Sequence, residues 1–421
     1  MNLQITKIGE ALSGHSGIVE VMDDLGTALT SGESSEMLML GGGNPAHVPE
    51  MQAVWRERLR EIVADEPFCD RILANYDGPA GSPQFRKSVA ACLRETYGWD
   101  VGLENIAITN GGQTAFFFLF ALLAGDMPNG SKRKILLPIT PEYIGYADQG
   151  LCEGAFVSHR PRIDKTDDNT FKYRIDFETL EVGDDVAAIC VSRPTNPTGN
   201  VLTDEEISRL AQLARAHEIP LLIDNAYGEP FPSAVFEPIS PIWNRDMVMT
   251  FSLSKLGLPG TRTGIVLAGK EIIRRITSMT GIVGLANNNI GQAIVEPLLT
   301  SGQLLKLSSE VIQPFYKAKS RAAQQVIAQH FGDGFPYLVH RSEGAFFLWL
   351  WFPALPITSR ELYERLKTRG VLVVPGEYFF YGLKDDWPHS RQCIRMTFSQ
   401  SDQTVAKGIE IIADELRQVH G

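Results

Sequence analysis

The segment SLSKLGLPGTR, residues 252–262, places a lysine, two serines and an arginine in one glycine-rich turn. A lysine at the end of a buried strand loses hydration, which lowers its pKa and frees the neutral amine to attack a carbonyl. Arg262, Ser252 and Ser254 offer paired N–H donors and two hydroxyls, a set that suits a phosphate. Lys255 taken alone favours a surface lysine whose ammonium stays in solvent. Beside a phosphate site, it predicts a phosphorylated aldehyde held as a Schiff base.

Pyridoxal phosphate fits that description, and its ring makes further demands. The ring withdraws electrons only while its nitrogen stays protonated, which requires a buried carboxylate such as Asp224 in IPLLIDNAYG. Tyr227 and Asn196 are candidate hydrogen-bond partners of the ring's phenolate oxygen. Singly, these residues also suit a turn aspartate, a core tyrosine and a turn asparagine. Their recurrence at successive strand ends with Lys255 favours a cofactor site.

Two more segments supply groups of the expected kinds. In TNGGQTAFFF, residues 109–118, a glycine turn leads into a helix, whose first N–H groups at Gly112 and Gln113 are suited to a phosphate. In TPEYIGYAD, Tyr143 offers an aromatic face for a pyridine ring, with a core tyrosine as the alternative. We predict that both segments join the site.

The chain alternates between short apolar runs and helical patterns in a way that positions these residues. AAICVS (187–192), IPLLIDNAYG (219–228) and MVMTFSLSK (247–255) each read as a buried strand followed by polar residues. Between the first two, Thr203 and Glu206 form a capping box that predicts a helix. Ligands bind at the carboxyl edge of a parallel sheet, so the polar residues are expected to meet there.

The two ends of the chain have a different pattern. The helix ITSRELYERLKTRG, closed by Gly370, the strand VLVVPG and the amphipathic helix TVAKGIEIIADELRQVH follow the α/β region. We predict a large domain from 61–305 and a smaller α+β domain made of 1–60 and 306–421. At 421 residues the chain is long enough for two such domains.

Composition excludes several functions. The formal charge of −11 and the absence of a basic cluster argue against a nucleic-acid partner. The five cysteines are scattered and never spaced as CxxC, which favours neither disulfides nor a metal site and indicates a reducing, cytoplasmic location. The apolar run AFFFLFALLAG is too short to span a membrane and predicts a buried helix. The first residues do not have the pattern of a secretion signal.

Together these segments resemble the fold-type I pyridoxal-phosphate-dependent aminotransferases, from residue 41 to residue 395. The resemblance implies a mostly parallel, seven-stranded sheet flanked by helices, with a small α+β domain. It also implies that Lys255 is the Schiff-base lysine and proton carrier and that Asp224 pairs with the pyridine nitrogen. The remaining cofactor contacts implied are the ring oxygen with Asn196 and Tyr227, the ring face with Tyr143, and the phosphate with Ser252, Ser254, Arg262, Gly112 and Gln113.

Three further residues acquire roles from the same resemblance. Arg395 in CIRMTF matches the arginine that binds the substrate α-carboxylate, whereas by itself it could form a salt bridge at a strand end. Gly43 in LGGGNPA matches the glycine whose backbone approaches that carboxylate, where Asn196 is also expected. Tyr76 in NYDGPAGSPQFR matches the tyrosine that reaches the phosphate of a neighbouring subunit. A homodimer with shared active sites is therefore expected.

The longer strings GGGNPA, NYDGPAG, EYIGYAD, SRPTNPTGN and DNAYGEPFP resemble the valine–pyruvate aminotransferase subgroup. This implies valine, alanine, pyruvate and 2-oxoisovalerate as the amino acids and 2-oxo acids exchanged. Alternatives are broader aliphatic and aromatic transamination, and carbon–sulfur β-elimination on the same fold. The segment GIVGLANNN has no arginine for a second substrate carboxylate, while ANNNIG (286–291) is a candidate partner-chain contact. Residues 15–18 could line the substrate pocket or form a terminal turn.

Overall fold

The computed structural model describes residues 4–14, 16–30, 37–166, 169–332 and 334–421, with the main chain alone considered for 24–30. Its helices are α1 Lys7–Ser13, α2 Gly17–Thr30, α3 Pro49–Ala64, α4 Glu66–Ala74, α5 Pro83–Tyr97, α6 Gly112–Leu123, α7 Ile144–Ala147, α8 Asp204–Ala216, α9 Lys270–Gly284, α10 Asn289–Thr300, α11 Gln303–Leu307, α12 Gln313–Phe331, α13 Ser359–Thr368 and α14 Asp402–His420. Its strands are β1 Leu38–Met39, β2 Ile106–Thr109, β3 Gly125–Asp126, β4 Lys132–Leu137, β5 Phe156–Ser158, β6 Arg162–Lys165, β7 Thr170–Arg174, β8 Val186–Ser192, β9 Leu221–Asp224, β10 Met247–Ser252, β11 Gly264–Leu267, β12 Leu338–His340, β13 Phe347–Trp351, β14 Val371–Leu372, β15 Val374–Pro375 and β16 Cys393–Thr397.

The larger sheet has the strand order β2-β11-β10-β9-β8-β4-β3, and β5 also pairs with β4. Neighbours β10, β9, β8, β4 and β5 run parallel, while β11 is antiparallel to both β10 and β2. The predicted α/β architecture is confirmed. Within the described residues this sheet has eight strands instead of seven, because the two-residue strand β3 adds to its edge beside β4.

The central strands have the burial that their sequences predict. Every residue of β8 and β10 is buried, which is typical of parallel strands covered on both faces. Ser192, Asp224 and Thr250 are register partners on the three parallel strands. The carboxyl ends of the strands therefore bring their polar residues to one edge, as predicted from the sequence.

Helices pack against this sheet as the apolar patterns indicate. Helix α6 buries Ala115, Phe116, Phe118, Leu119 and Phe120, so the run AFFFLFALLAG is a core helix. Helix α8 begins with the expected capping box between Thr203 and Glu206. No helix in the described part of the chain combines the length and apolarity of a membrane span.

A second sheet has the order β15-β16-β13-β12-β7-β6. Strands β6 and β7 come from inside the range 61–305, yet β7 pairs with β12 of the C-terminal region. The β6–β7 hairpin thus extends the sheet of the smaller domain, although it lies within the residue range predicted for the large domain. The strand patterns did not predict this. We retain the domain boundaries at residues 60 and 305 as a proposal, with this hairpin as an exception.

The two chain ends also meet directly. Strand β1 pairs in parallel with β14, and Thr397 donates its backbone N–H to the Leu40 carbonyl. The predicted strand VLVVPG is split into β14 and β15, which join different neighbours. This arrangement places the loop that follows β1 beside β16, where Arg395 lies.

Candidate active site

The predicted site residues converge on one cavity of about 200 Å³ between the carboxyl edge of the large sheet and β16. Those that line it are Gly43, Gly112, Gln113, Tyr143, Asn196, Asp224, Tyr227, Ser252, Ser254, Lys255, Arg262 and Arg395. Tyr76 is the predicted residue that lies elsewhere. Because these positions span most of the chain, their meeting depends on the fold and not on sequence proximity.

Lys255 lies just after β10, in a short 3₁₀ turn that ends at Gly257. Its Nζ donates to the Gly43 carbonyl oxygen at 3.0 Å and lies 5.2 Å from the Tyr227 ring centre. Burial, aided by the positive charge of Arg395, lowers the pKa of Lys255 to about 8, although Asp224 opposes the shift. The amine is therefore neutral in an appreciable fraction of molecules near neutral pH, as a nucleophile and base must be.

Asp224 ends β9 and accepts hydrogen bonds from uncharged donors on three elements. The Tyr146 hydroxyl donates to Oδ2 at 2.6 Å, while the Ala226 N–H and the Thr250 hydroxyl donate to Oδ1 at 3.0 and 3.3 Å. Burial raises the pKa of Asp224, and these hydrogen bonds counteract it. A buried carboxylate held in this way is suited to a cationic ligand atom.

Arg395 projects from β16 and is 5% exposed, so the alternative of a solvent-exposed salt bridge is wrong. Its Nη1 donates to Asn196 Oδ1 at 2.8 Å and its Nη2 to the Gly41 carbonyl at 2.6 Å. The guanidinium also lies 4.3 Å from the Phe347 ring centre. Its buried Nε has no hydrogen-bond partner within the described residues. Burial lowers the pKa of Arg395 to about 10, which leaves it cationic at neutral pH.

The expected anion site surrounds the first turn of α6. Gly111 precedes the helix with a φ of +93°, and a Cβ added there would clash with the Arg262 guanidinium. Arg262 itself has a φ of +45°, and its Nη2 donates to the Asn110 carbonyl at 3.4 Å. The backbone N–H groups of Gly112 and Gln113 start the helix and have no intrahelical acceptors. Paired donors and a helix N-terminus therefore point into the same space.

Ser252, Ser254 and Gln113 were also predicted to bind the anion. Ser252 Oγ accepts the Ser254 N–H at 3.2 Å, and both serines are buried. One N–H of the Gln113 side-chain amide donates to the Gly145 carbonyl at 2.9 Å, which ties that amide to α7. The first backbone N–H groups of α6 lack intrahelical acceptors and are available to an anion.

Two tyrosines form part of the cavity wall. Tyr143 stands at the start of α7, with its ring 5.1 Å from and perpendicular to that of Tyr146. Tyr227 is 5% exposed and packs edge-on against Phe346. Burial raises the pKa of both phenols, so both stay protonated and can donate hydrogen bonds.

Several residues at or behind the cavity wall escaped the sequence analysis. Tyr146, behind the wall, and Thr250, which lines the cavity, donate to Asp224, and the Gly41 carbonyl accepts from Arg395. The sequence offers a signal for Thr250, because it lies on the predicted strand next to Asp224 and is its register partner. Of the segment 15–18, Ile18 lines the cavity together with Val21 and Met22 of α2, while His15 lies outside the described residues.

Tyr76 is 82% exposed and lies away from the cavity of its own chain. The candidate contact segment ANNNIG turns its amides inward: Asn289 Nδ2 donates to the Asn75 carbonyl at 3.0 Å, and Asn287 Nδ2 to the Pro79 carbonyl at 2.9 Å. These asparagines fix the loop that carries Tyr76. The loop is therefore held with its tyrosine directed outward.

Comparisons with known proteins agree with this geometry. The family model described as aminotransferase class I and II matches residues 36–412. This chain belongs to the class I and II aminotransferase family. It is 48% identical over 410 residues to the valine–pyruvate aminotransferase of Escherichia coli strain K12, covering 97% of both chains.

Solved structures give the same result. The crystal structure of a valine–pyruvate aminotransferase from Salmonella typhimurium LT2 matches with a TM-score of 0.88 and 46% identity, over 96% of this chain and 99% of the other. An aspartate aminotransferase of Thermus thermophilus with maleate matches at a TM-score of 0.78 and 20% identity, over 98% and 100% of the two chains. The second match supports the fold alone. The chain is thus an aminotransferase with the fold-type I architecture.

Proposed function

We propose that the protein is a pyridoxal-phosphate-dependent valine–pyruvate aminotransferase. The observation that carries the reaction type is the convergence of Lys255, Asp224 and Arg395 on one cavity. The observation that carries the substrate pair is the 48% identity, over almost the whole chain, to an enzyme with that name. Valine or alanine would donate an amino group, and pyruvate or 2-oxoisovalerate would accept it.

The cavity fits pyridoxal phosphate group by group. Asp224 accepts only from uncharged donors, so its charge remains for a protonated ring nitrogen. Arg262, Ser254 and the start of α6 provide donors for a phosphate, and Tyr143 and Tyr227 flank the space between. Lys255 is the buried amine within this set. When bound, this cofactor supplies an aldehyde that takes up an amino group and a ring that withdraws electrons from the α-carbon.

The chain's own residues perform the remaining work. Arg395 binds the α-carboxylate through paired N–H groups and orients the α-carbon toward Lys255. The neutral Lys255 Nζ would remove the α-proton and deliver it to the cofactor carbon bonded to the amino nitrogen, two bonds from the α-carbon, and its lowered pKa suits both steps. The Tyr227 hydroxyl would donate to the ring oxygen. A second 2-oxo acid then reverses the sequence, which gives ping-pong kinetics.

The apolar residues in the cavity wall favour a substrate with an aliphatic side chain. Ile18 and Val21 are half-buried there, and Met22 lies at the rim with 61% exposure. Among the described residues lining the cavity, the cations are Lys255, Arg262 and Arg395, each of which has a role in the proposal. A second substrate carboxylate would find no further cation in this part of the chain. An apolar donor is favoured over aspartate.

We also propose a homodimer with shared sites. Large apolar side chains are exposed on three helices of the large domain and on the loops that follow them: Val63, Leu73, Tyr76, Ile282, Val283 and Leu285. The end of α9 meets the loop that carries Tyr76, since Gly281 lies beside Pro79. Exposed apolar surface of this kind is typical of an interaction site. Gly284, between Val283 and Leu285, lies beside Asn110, whose carbonyl accepts from Arg262. A partner's loop on this surface would lie next to the phosphate end. A cytoplasmic location agrees with the unpaired cysteines.

A donor panel tests the function. The purified protein loaded with pyridoxal phosphate is assayed for kcat/KM with valine, alanine, phenylalanine, tyrosine and aspartate against pyruvate or 2-oxoisovalerate. We expect valine with pyruvate to exceed the aromatic and acidic donors by at least about tenfold. Equal values for phenylalanine would replace the substrate pair by a broader specificity. Ammonia and pyruvate released from cysteine without an acceptor would replace transamination by β-elimination.

A further inference from the structure

A fully buried carboxyl group lies directly behind the cavity wall and has no part in the reaction described above. Glu142 is 0% exposed and precedes Tyr143 in TPEYIGYAD. It does not line the cavity, whereas its neighbours Tyr143 and Ser192 do. Burying a carboxyl without a cation is costly, so its environment must supply donors.

Its two oxygens accept hydrogen bonds from three donors. The Tyr143 N–H donates to Oε1 at 3.0 Å, and the Ser192 N–H donates to Oε2 at 2.9 Å. The Ser192 hydroxyl also donates to Oε1 at short range. A carboxylate accepts at both oxygens, whereas a glutamine would turn its amide N–H₂ toward one of these donors. The contact set therefore selects the acid over its amide.

Both residues that donate to Glu142 line the cavity and belong to elements that contact Asp224. Ser192 ends β8 and is the register partner of Asp224 on β9. Tyr143 begins the short helix α7, whose Tyr146 donates to Asp224. The Glu142 N–H donates to the Phe379 carbonyl at 3.0 Å, which adds the segment before β16. The carboxyl thus connects the aromatic wall with the strand edge, while the backbone N–H of the same residue reaches the segment before β16.

The electrostatic setting is consistent with this connection. Burial raises the pKa of Glu142 to about 7, the Ser192 and Tyr143 hydrogen bonds oppose the shift, and the nearby charge of Asp224 adds to it. A carboxyl occupies this position although both burial and the nearby charge of Asp224 disfavour its ionised form. A position where only packing mattered would be filled at less cost by an apolar side chain.

We propose that Glu142 is a positioning residue for the cofactor: it fixes Tyr143 and the Ser192 end of β8 so that the aromatic face and Asp224 stay in register with the ring. This inference rests on the proposed pyridoxal-phosphate function. Glu142 touches neither the reacting atoms nor the substrate end at Arg395. Its loss is therefore expected to weaken cofactor binding more than substrate binding.

The test compares Glu142→Gln and Ser192→Ala with the wild type as apo-protein and as holoenzyme. The dissociation constant of pyridoxal phosphate is measured by titration of the apo-protein, and Tm is measured with and without cofactor. We expect Glu142→Gln to raise the dissociation constant about tenfold, and Ser192→Ala to raise it less, since one of three contacts is lost. The rise in Tm on loading becomes smaller in both. The donor KM at saturating cofactor stays within about twofold of the wild type, because Arg395 is untouched.

Glu206→Gln is the matched control. Glu206 is also buried, at 8% exposure, and accepts backbone N–H groups from Thr203 and Ile175, but it lies outside the cavity. Its variant should lower the apo and holo Tm equally and leave cofactor affinity unchanged. If Glu142→Gln behaves like this control, or if both Glu142→Gln and Ser192→Ala bind cofactor as tightly as the wild type, the inference is wrong. A wild type that binds no pyridoxal phosphate would instead overturn the proposed function.

Discussion

The two ends of the cavity are assembled from different kinds of structure. At the cofactor end, Asp224, Ser252 and Lys255 follow adjacent strands of one sheet, and the start of α6 faces them. At the substrate end, Arg395 comes from β16 of the second sheet, beside the loop after β1 and the side chains of α2. The first end is a single sheet edge. The second is a junction of three separate segments.

This difference extends to how firmly the residues are held. Asp224 has donors from three elements, while the α2 residue Met22 is 61% exposed. Helix α2 is secured by Glu20, which receives the Arg360 Nη2 at 2.6 Å and the Tyr378 hydroxyl at 2.8 Å. The rigid end suits chemistry that a whole family shares. The junction suits substrate selection, because its side chains are free to vary without disturbing the sheet.

Replacing Lys255 by alanine breaks the cofactor end most severely. We expect kcat/KM to fall by about 10⁴-fold or more, since both the covalent attachment and the proton carrier are lost. Borohydride followed by peptide mapping should then find no cofactor attached to the chain. Lys317→Ala is the control, because its Nζ donates to the Phe236 carbonyl outside the cavity. Turnover near the wild-type rate in Lys255→Ala would refute the assignment.

Replacing Arg395 by lysine tests the other end. Lysine keeps the charge but loses the planar fork that serves the carboxylate and Asn196 together, so kcat/KM should fall by about 100-fold. The effect should be larger on KM than on the dissociation constant of pyridoxal phosphate. Steady-state kinetics and cofactor titration of the same preparation measure both. A cofactor affinity that falls as far as kcat/KM would mean that the two ends are not separable.

Sequence patterns identified the cofactor end because its signals are local. Strands β8, β9 and β10 are short apolar runs that each stop at a polar residue. Parallel pairing then forces those stops together without any knowledge of distant contacts. The capping box of α8 and the apolar run of α6 are similarly local. The donors to Asp224 were incompletely identified, because Tyr146 reaches it from α7, a helix that does not follow one of these strands directly.

The substrate end was predicted less fully because it depends on long-range contacts. Arg360 donates to Glu20, 340 residues away in the chain. The i, i+3, i+4 spacing of Ile18, Val21 and Met22 indicates an apolar helix face but not that this face lines the cavity. The hairpin of β6 and β7 joined the second sheet for the same reason: its partner β12 lies far along the chain. The family resemblance identified Arg395 as the residue that binds the substrate carboxylate. Local patterns alone predicted only a salt bridge at a strand end.

The pH dependence of cofactor capture provides a finer test of the first end. Burial lowers the pKa of Lys255 to about 8, so the neutral amine increases about tenfold per pH unit below that value and levels off above it. The rate at which apo-protein forms the borohydride-reducible linkage should therefore rise from pH 6 to 8 and flatten by pH 9. Stopped-flow absorbance at constant ionic strength measures it. A midpoint near 10 would show a solvated lysine instead.

The smallest expected effect concerns side-chain selection at the junction. Val21→Ala removes two methyl groups from the half-buried part of the cavity wall. The kcat/KM for valine should therefore fall about fivefold. The kcat/KM for alanine should change less than twofold, because its side chain is shorter than that of valine. Val19→Ala is the matched control, because Val19 lies on the same helix at 48% exposure and outside the cavity. The measured quantity is the valine-to-alanine ratio of kcat/KM in each variant. An unchanged ratio in Val21→Ala would place selection on another wall, whereas an equal change in Val19→Ala would trace it to the seating of α2 as a whole.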